Sequence, residues 1–275
     1  MYIFCNLAKY QTKMAIFRAF RKYKYGIVLS GGGARGMAHI GVLKALNEEG
    51  IFPEVISGVS AGAIAGALYA DGYKPDELQL LFRDSNFFKF VNLTYPKNGL
   101  LTINGLQSFL EQHLRSRTFE ALKIPLFIAV TNYNTGLVEY HHQGQLIPRI
   151  LASSSIPVVF NPVVIDRQIY MDGGLVDNLP VSPVRSDCMR LIGSHVNPVG
   201  FTDTTGGLVR IAERAFHIGA ADTVKQHARL TDIFIEPKEL SKFSIFDVSH
   251  IDEIVRIGYD ETINVLENRG LFNKF

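Results

Sequence analysis

The sequence has little of what marks several large classes of protein. Its 275 residues include only two cysteines, Cys5 and Cys188, and no tryptophan. Two cysteines are too few for a disulfide framework, which favours a reducing compartment and predicts a cytoplasmic protein. Because no Cys/His cluster has the spacing of metal ligands, we expect neither a metal ion nor a bound cofactor.

Long apolar runs are also missing from the chain. No stretch is long and uncharged enough to span a bilayer, and no apolar segment precedes a cleavage site of small residues. Neither a membrane span nor a signal peptide is therefore predicted. Basic residues do not cluster with aromatic ones beyond residue 24, so we expect no nucleic-acid partner. No pattern indicates the oligomeric state.

Charge is nearly balanced overall but unevenly distributed. The net charge is +2, yet residues 1–24 hold six basic residues and no acidic one. Apolar residues recur in this arm at helical spacing: Ile3, Leu7, Tyr10, Met14 and Phe17. Such a basic amphipathic helix could contact anionic lipid at the periphery of a membrane. A loosely docked or disordered extension, or a start site upstream of the true one at Met14, is the simpler alternative.

Residues 25–275 carry no internal repeat and no linker rich in proline or glycine, so they are predicted to form a single domain. Apolar runs and helical patterns alternate, which predicts a three-layer α/β/α fold with a mostly parallel central sheet. The predicted strands are 26–30, 55–58, 126–131, 138–140, 163–165, 168–171, 190–195 and 232–236. The predicted helices are 35–49, 61–71, 75–82, 105–115, 147–154, 208–230 and 251–269.

A serine lies at one of the predicted strand-to-helix joints, in the segment Gly58-Val59-Ser60-Ala61-Gly62. The glycines of a G-x-S-x-G segment allow a turn sharp enough to expose the serine hydroxyl. At the positive end of a helix, an attacking oxygen and a forming oxyanion are both favoured. The segment therefore predicts Ser60 as a nucleophile.

A second glycine cluster, Gly31-Gly32-Gly33-Ala34-Arg35-Gly36, follows the first predicted strand. Successive glycine amides can point into one concavity and bind an anion, with Arg35 adding positive charge. The same string fits the dinucleotide fingerprint G-x-G-x-x-G, which requires an acidic residue after the next strand. Glu54 lies before that strand, and Ser60 follows it. We therefore favour an oxyanion hole that faces the carbonyl attacked by Ser60.

A serine nucleophile needs a base. Among the eight histidines, only His195 is placed at a strand end as a catalytic base would be. Asp172 is the stronger candidate, because it ends the predicted strand 168–171 and precedes Gly173 and Gly174. A lone Asp-Gly-Gly could also be an ordinary turn.

Taken in order, the glycine loop 31–36, the elbow 58–62 and Asp172-Gly173-Gly174 resemble the patatin-like phospholipase family. The segment 152–157, with Phe160 and Pro162, is also similar. The resemblance spans about residues 25–197. It implies a lipid acyl hydrolase acting on phospholipids or lysophospholipids. An acyltransferase, a general carboxylesterase, or a non-catalytic lipid- or dinucleotide-binding module are the alternatives.

The resemblance also implies a role for each site residue. Ser60 would be the nucleophile and Asp172 the general base. Gly31, Gly32 and Gly33, reinforced by Arg35, would form the oxyanion hole. An ordinary aspartate, with a pKa of about 3.9, is a poor base for a hydroxyl, so burial is expected to raise the pKa of Asp172.

Large apolar residues are concentrated between positions 78 and 101. Core packing is the simpler interpretation of this segment. The alternative is a cap whose aromatic face receives an acyl chain beside Ser60.

Overall fold

A mixed sheet forms the centre of the fold in the computed structural model, which describes residues 21–84, 103–200 and 207–270. Its strands within those ranges are β1 (Tyr23–Leu29), β2 (Val55–Gly58), β3 (Leu126–Asn132), β4 (Leu137–His141), β5 (Val163–Ile165), β6 (Gln168–Asp172), β7 (Cys188–Ser194) and β8 (Ile233–Ile235). The strand order is β5-β6-β3-β2-β1-β7-β8, with β4 paired to β3. All eight predicted strands are present, with ends displaced by at most three residues.

The α-helices of the described ranges also match the predicted ones. They are α1 (Ala38–Glu48), α2 (Ala61–Ala70), α3 (Pro75–Asp84), α4 (Asn104–His113), α5 (Leu146–Ser153), α6 (Leu208–Ala228) and α7 (Ile251–Asn268). The first predicted helix differs in its opening turn, because a 3-10 turn at Gly33–Met37 precedes α1.

Strands β3, β2, β1, β7 and β8 are parallel, whereas β4 and β6 run antiparallel to β3 and β5 runs antiparallel to β6. Alternate residues of β1 enter two separate cores. Ile27 and Leu29 lie in the larger core, and Val28 lies in a smaller one with Val224 of α6. Successive side chains of a strand point to opposite faces, so helices cover both sides of the sheet. This confirms the three-layer α/β/α fold.

Strands β2 and β6 meet end to end beside β3. Ile128 pairs with both Gly58 of β2 and His141 of β4, whereas Val130 pairs with both Asp172 of β6 and a residue of β4. Because β4 occupies one side of β3 at both positions, β2 and β6 lie on the other side. They run in opposite directions, so their carboxyl ends face each other. The topology thereby brings the elbow after β2 close to the end of β6.

The predicted boundary between arm and domain needs a correction. Strand β1 begins at Tyr23, so the last two residues of the predicted arm belong to the sheet. The Arg21 guanidinium donates hydrogen bonds to the carbonyl oxygens of Arg185 and Cys188, at 3.2 and 2.6 Å. The predicted amphipathic helix falls on residues 1–20, which lie outside the described residues.

The described part of the segment 78–101 is divided between core and surface. Leu78 and Phe82 are fully buried in the large core, and Leu80 is exposed. Core packing is therefore the right interpretation for Leu78 and Phe82. Residues 85–101 lie outside the described residues.

Candidate active site

Ser60 is in the turn between β2 and α2, with a backbone φ of 53° and ψ of −123°. A residue other than glycine rarely adopts a positive φ, and residues strained in this way cluster at functional sites. The backbone is closely packed at the elbow, because a Cβ at Gly58 would lie 2.6 Å from the Gly62 carbonyl oxygen. A Cβ at Gly62 would overlap the carbonyl oxygen of Leu29. Both motif glycines are thus required by the packing of the turn.

Ser153, on α5, connects the elbow to β3 by two hydrogen bonds. The Ser60 N–H donates to Ser153 Oγ at 2.8 Å, and Ser153 Oγ donates to the Ala129 carbonyl at 2.7 Å. These bonds join α2 and α5 to β3 through buried atoms. Sequence reasoning did not assign this role to Ser153, although it lies in the segment 152–157 that resembles the family.

The glycine loop after β1 leaves two amides open. The Gly31 N–H donates to Asn178 Oδ1 at 3.0 Å, and Ala34 N–H donates to the Ile245 carbonyl at 2.8 Å. Among the described residues, the N–H groups of Gly32 and Gly33 have no hydrogen-bond acceptor. Both residues line the same cavity as Ser60, so their amides are free to bind an oxyanion that forms there.

One of the three glycine amides predicted to bind an oxyanion is therefore already occupied. Gly31 lines the cavity, but its amide is already bound to Asn178. Gly33 has a backbone φ of 55°, which favours glycine over residues with a side chain. A Cβ at this position would also overlap the Ile245 carbonyl oxygen. Gly36 has a packing role, because a Cβ there would overlap the Cβ of Ala61.

Arg35 also differs from its prediction. Its Nε donates to the Phe243 carbonyl at 2.8 Å, and its guanidinium pairs with Glu213 at 3.2 Å. The side chain is buried and is not among the described residues that line the cavity. Arg35 therefore ties the glycine loop to α6 and to the segment before α7, instead of adding an exposed charge to the oxyanion hole.

Asp172 ends β6 and is 2% exposed. Its Oδ1 accepts a hydrogen bond from the Gly174 N–H at 2.8 Å, and its carboxyl also interacts with the Ser60 hydroxyl. Burial raises the pKa of Asp172 to about 7, although the bonds from Gly174 and Ser60 partly oppose that rise. A Cβ at Gly173 would overlap the Ala129 carbonyl oxygen, so the glycine lets the loop turn against β3. The structure thus brings the predicted nucleophile and base together.

Asn178 connects the two loops of the site. It is 1% exposed, and its Oδ1 holds Gly31. A Cβ added at Gly174 would lie 2.8 Å from the same oxygen. Asn178 therefore sets the spacing between the glycine loop and the Asp172 loop. The sequence signal was the run Asp177-Asn178-Leu179-Pro180 directly after the Asp-Gly-Gly motif, to which no role was assigned.

The cavity at Ser60 has a volume of about 220 Å³. Asp172, Gly32 and Gly33 lie on its wall with Ser60. The rest of the wall is mostly apolar and comes from four separate parts of the chain: Ile156, Pro157, Val158, Val159, Leu175, Ala212, Phe216, Ile245 and Phe246. None of the described residues of the predicted cap, 78–84, lines it. An acyl chain would therefore meet this wall beside the nucleophile.

His195 is placed away from the nucleophile. Its Nδ1 pairs with Glu236 Oε1 at 2.9 Å, and its ring stacks on Phe234. It is not among the described residues that line the cavity. The geometry therefore favours the Ser60–Asp172 pair over a triad with His195.

The structure places Glu54 far from the glycine loop along the strands. Its carboxylate accepts from the Lys24 N–H at 2.7 Å, at the amino end of β1, whereas the loop follows the carboxyl end. A dinucleotide site would need the acidic group near the loop.

Within residues 21–84, 103–200 and 207–270, no group of three or more His, Cys, Asp and Glu residues could hold a metal ion. No helix in the same ranges is both long and apolar enough to cross a bilayer.

Comparison with known proteins adds sequence relatives. The chain is 25% identical over 287 residues to Lysophospholipase nte1 of Emericella nidulans, which covers 89% of this chain and 18% of the relative. It is 32% identical over 193 residues to patatin-like phospholipase domain-containing protein 7 of Rattus norvegicus, covering 66% of this chain and 14% of the relative. The chain thus spans less than a fifth of the length of these relatives.

The fold is also found in solved structures. VipD from Legionella pneumophila superposes with a TM-score of 0.53 at 16% identity, over 90% of this chain and 67% of that one. The family described as Patatin-like phospholipase matches residues 27–185, which include the glycine loop, the elbow and Asp172. By this match over more than half of its length, the chain belongs to the patatin-like phospholipase family.

Proposed function

We propose that the chain is a serine lipid acyl hydrolase that cleaves carboxylic ester bonds of phospholipids or lysophospholipids. One observation carries the proposal: a strained serine, a buried carboxyl and two open amides line one cavity whose remaining wall is mostly apolar. Such a cavity provides a nucleophile, a base, an anion site and a surface for an acyl chain on one wall.

Burial makes Asp172 basic enough to accept the proton of the Ser60 hydroxyl. With a pKa of about 7, Asp172 is a stronger base than an exposed aspartate, and a large fraction of it is ionised at neutral pH. As Ser60 Oγ attacks the carbonyl carbon, its proton passes to an oxygen of Asp172. The C=O double bond opens, and its oxygen becomes an anion.

That anion is bound by the amides of Gly32 and Gly33. Each such donor contributes roughly 3–4 kcal/mol to the transition state in comparable enzymes. Asp172 then returns its proton to the leaving alcohol, which departs and leaves an acyl group on Ser60. Water attacks this ester while Asp172 accepts its proton; Asp172 then returns that proton to Ser60 Oγ as the bond between Oγ and the acyl carbon breaks, and the free acid leaves.

The names of the relatives support the substrate class. A protein called Lysophospholipase is 25% identical to the chain over the region that contains the site. Because the chain spans 18% of that relative, the activity of this chain is inferred from its own cavity and only supported by the name.

Hydrolysis of a single-chain phospholipid ester by the purified protein tests the proposal. Wild type should release fatty acid, whereas Ser60→Ala should fall to the level without enzyme. Ser186→Ala is the matched control, because Ser186 is exposed and its hydroxyl donates to the neighbouring Asp187 carboxylate. Full activity of Ser60→Ala would refute the assignment of the nucleophile.

The same assay tests which residue is the base and whether water or an alcohol accepts the acyl group. Asp172→Asn should be inactive and His195→Ala active, whereas the reverse result would indicate a triad. Addition of an alcohol acceptor, followed by product analysis, separates hydrolysis from acyl transfer. Accumulation of a new ester in place of free acid would make the protein an acyltransferase with the same pair of residues.

We also propose that residues 1–24 contact the surface of an anionic membrane. Their six basic residues and absence of acidic ones support this. Sedimentation with vesicles should recover the full chain with anionic lipid at low salt and recover less with neutral lipid. A chain lacking residues 1–20, and with them Lys9, Lys13 and Arg18, should lose part of that difference. An unchanged difference would exclude residues 1–20 as the contact.

A further inference from the structure

Asn197 lies three residues after the end of β7 and beside the glycine loop. Strands β1 and β7 are parallel, so the segments that follow them leave the same edge of the sheet. Two hydrogen bonds of 3.0 Å join these segments: the Ser30 N–H donates to the Ser194 carbonyl, and the Val196 N–H donates to Ser30 Oγ. The sheet therefore brings Asn197 next to the loop that begins at Gly31.

The side chain of Asn197 is bound to one carbonyl group of that loop. Its Nδ2 donates to the Gly31 carbonyl oxygen at 2.6 Å, and the residue is 1% exposed. The same oxygen accepts a hydrogen bond from the Ser30 hydroxyl at 3.0 Å. Because the Gly31 N–H is bound to Asn178 Oδ1, asparagine side chains hold both polar groups of this glycine.

The Gly31 carbonyl and the Gly32 N–H belong to the same peptide group. A peptide group is planar and trans, so these two bonds point in opposite directions. The hydrogen bond from Asn197 to the carbonyl therefore also fixes the direction of the Gly32 N–H. No described residue accepts a hydrogen bond from that N–H, and Gly32 lines the cavity with Ser60. Asn197 thus orients an open amide although it is not among the described residues that line the cavity.

The amide of Asn197 is only partly satisfied. Its Oδ1 is buried and has no hydrogen-bond partner among the described residues. A buried polar atom without a partner lowers stability, and an apolar side chain of similar size would avoid that loss. Stability alone therefore does not account for an asparagine at this position. Its contribution is the hydrogen bond that it donates to Gly31.

We propose that Asn197 is a positioning residue for the oxyanion hole: by binding the Gly31 carbonyl, it holds the Gly32 amide in the direction that the oxyanion requires. The inference rests on the proposed function and adds to it a residue that touches neither the substrate nor the Ser60–Asp172 pair. The carbonyl oxygen of the substrate becomes an anion only as Ser60 attacks, so the oriented amide stabilises the transition state more than the bound ester. Loss of the bond should therefore lower kcat and leave KM nearly unchanged.

Two soluble esters that differ in one atom test the proposal. One is p-nitrophenyl butanoate, and the other has sulfur in place of its carbonyl oxygen. Sulfur accepts hydrogen bonds more weakly than oxygen, so the sulfur ester gains less from a well-placed amide. The ratio of kcat/KM for the oxygen ester to kcat/KM for the sulfur ester therefore measures the oxyanion hole, and a loss of stability alone does not change it.

Asn197→Leu removes the donor and keeps a side chain of similar size. Its kcat for the oxygen ester should be about 10- to 100-fold below that of wild type, which is less than the usual effect of deleting an oxyanion donor outright. The ratio of oxygen to sulfur ester should fall at least about fivefold, because the sulfur ester depends less on the Gly32 amide. Asn197→Ala, which adds no atoms to the site, should give the same change and provides a second measurement if Asn197→Leu does not fold.

Asn132→Leu is the matched control. Asn132 is a buried asparagine at the end of β3, and its side chain bonds to Glu139 and to the N–H groups of Asn134 and Thr135. None of these residues lines the cavity. Asn132→Leu should lower the free energy of unfolding in urea and keep the wild-type ratio of the two esters.

The possible failures are distinguishable. If wild type hydrolyses neither ester, the proposed function is wrong and the inference falls with it. If wild type is active but the folded Asn197 variants keep its ratio, or change KM alone, only the role of Asn197 is refuted. An equal fall of the ratio in Asn132→Leu would show that the ratio follows stability, and it would refute that role as well.

Discussion

Replacing Asp172 with asparagine should make the protein inactive and, at neutral and alkaline pH, more stable. The carboxyl is 2% exposed, and burial raises its pKa from 3.8 to about 7. In the unfolded chain the group ionises near its ordinary pKa. Between about pH 4 and pH 7 the folded protein therefore binds one more proton than the unfolded chain.

The sign and size of the effect follow from this difference. Because the folded state binds the extra proton, the free energy of unfolding of wild type falls by about 1.4 kcal/mol per pH unit as the pH rises through that window. Over about three units, the loss is at most about 4 kcal/mol. Asparagine has no proton to lose, and its amide oxygen can still accept the Gly174 N–H, which bonds to Asp172 at 2.8 Å.

Urea denaturation of both proteins at pH 5 and pH 8 measures the effect. The stability of Asp172→Asn relative to wild type should increase between these two values, by up to about 3 kcal/mol for the two pH units that lie below the folded pKa. Asp76→Asn, at an exposed carboxylate paired with Lys44, is the control and should show no such increase.

The same ionisation should govern catalysis. The base must be deprotonated, so kcat/KM of wild type should rise with pH and level off above about pH 7. If the relative stability of Asp172→Asn is the same at pH 5 and pH 8, and kcat/KM already levels off near pH 4, Asp172 is not the buried base described above.

Three other changes test the packing of the site. Ser60→Gly should be about 1–2 kcal/mol more stable than Ser60→Ala in urea denaturation, because glycine adopts the φ of 53° without strain, and equal stabilities would argue against a strained elbow. Asn178→Ala removes the acceptor of the Gly31 N–H, so it should lower kcat by at least about tenfold with little change in KM for a soluble ester. A change in KM alone would contradict a role for Asn178 in positioning the glycine loop. Gly62→Ala should lower the free energy of unfolding by about 2 kcal/mol or more, because its Cβ would overlap the Leu29 carbonyl oxygen, and a wild-type denaturation curve would show that the turn has room.

The strands, the helices and the elbow could be predicted because each depends on residues close together in the chain. The apolar run Val55–Gly58 forms β2 with its predicted ends, and the turn at Ser60 needs only the small residues on either side. The order of three local motifs was enough to indicate the family. In the same way, the Asp-Gly-Gly turn is local, because Asp172 Oδ1 accepts from the amide two residues later.

The hydrogen bonds that define the site connect distant residues and could not be predicted. The Gly31 amide is bound by Asn178, 147 residues away, so one expected oxyanion donor is already occupied. Arg35 lies in a motif suited to an anion, yet it pairs with Glu213 from α6, 178 residues away. The cavity wall is likewise assembled from distant segments, since Phe216 of α6 lines it together with Ile156 and Ile245.

The sequence by itself determined the elements, the strained turn and the residue types that catalysis requires. Only the tertiary structure decided which of those groups face one another, because β2 and β6 meet end to end beside β3. That meeting buries Asp172 beside Ser60 and raises its pKa to about 7, a property of its surroundings and not of its position in the chain. Desolvation depends on everything packed around a group, and that packing is assembled from segments that lie far apart in the sequence.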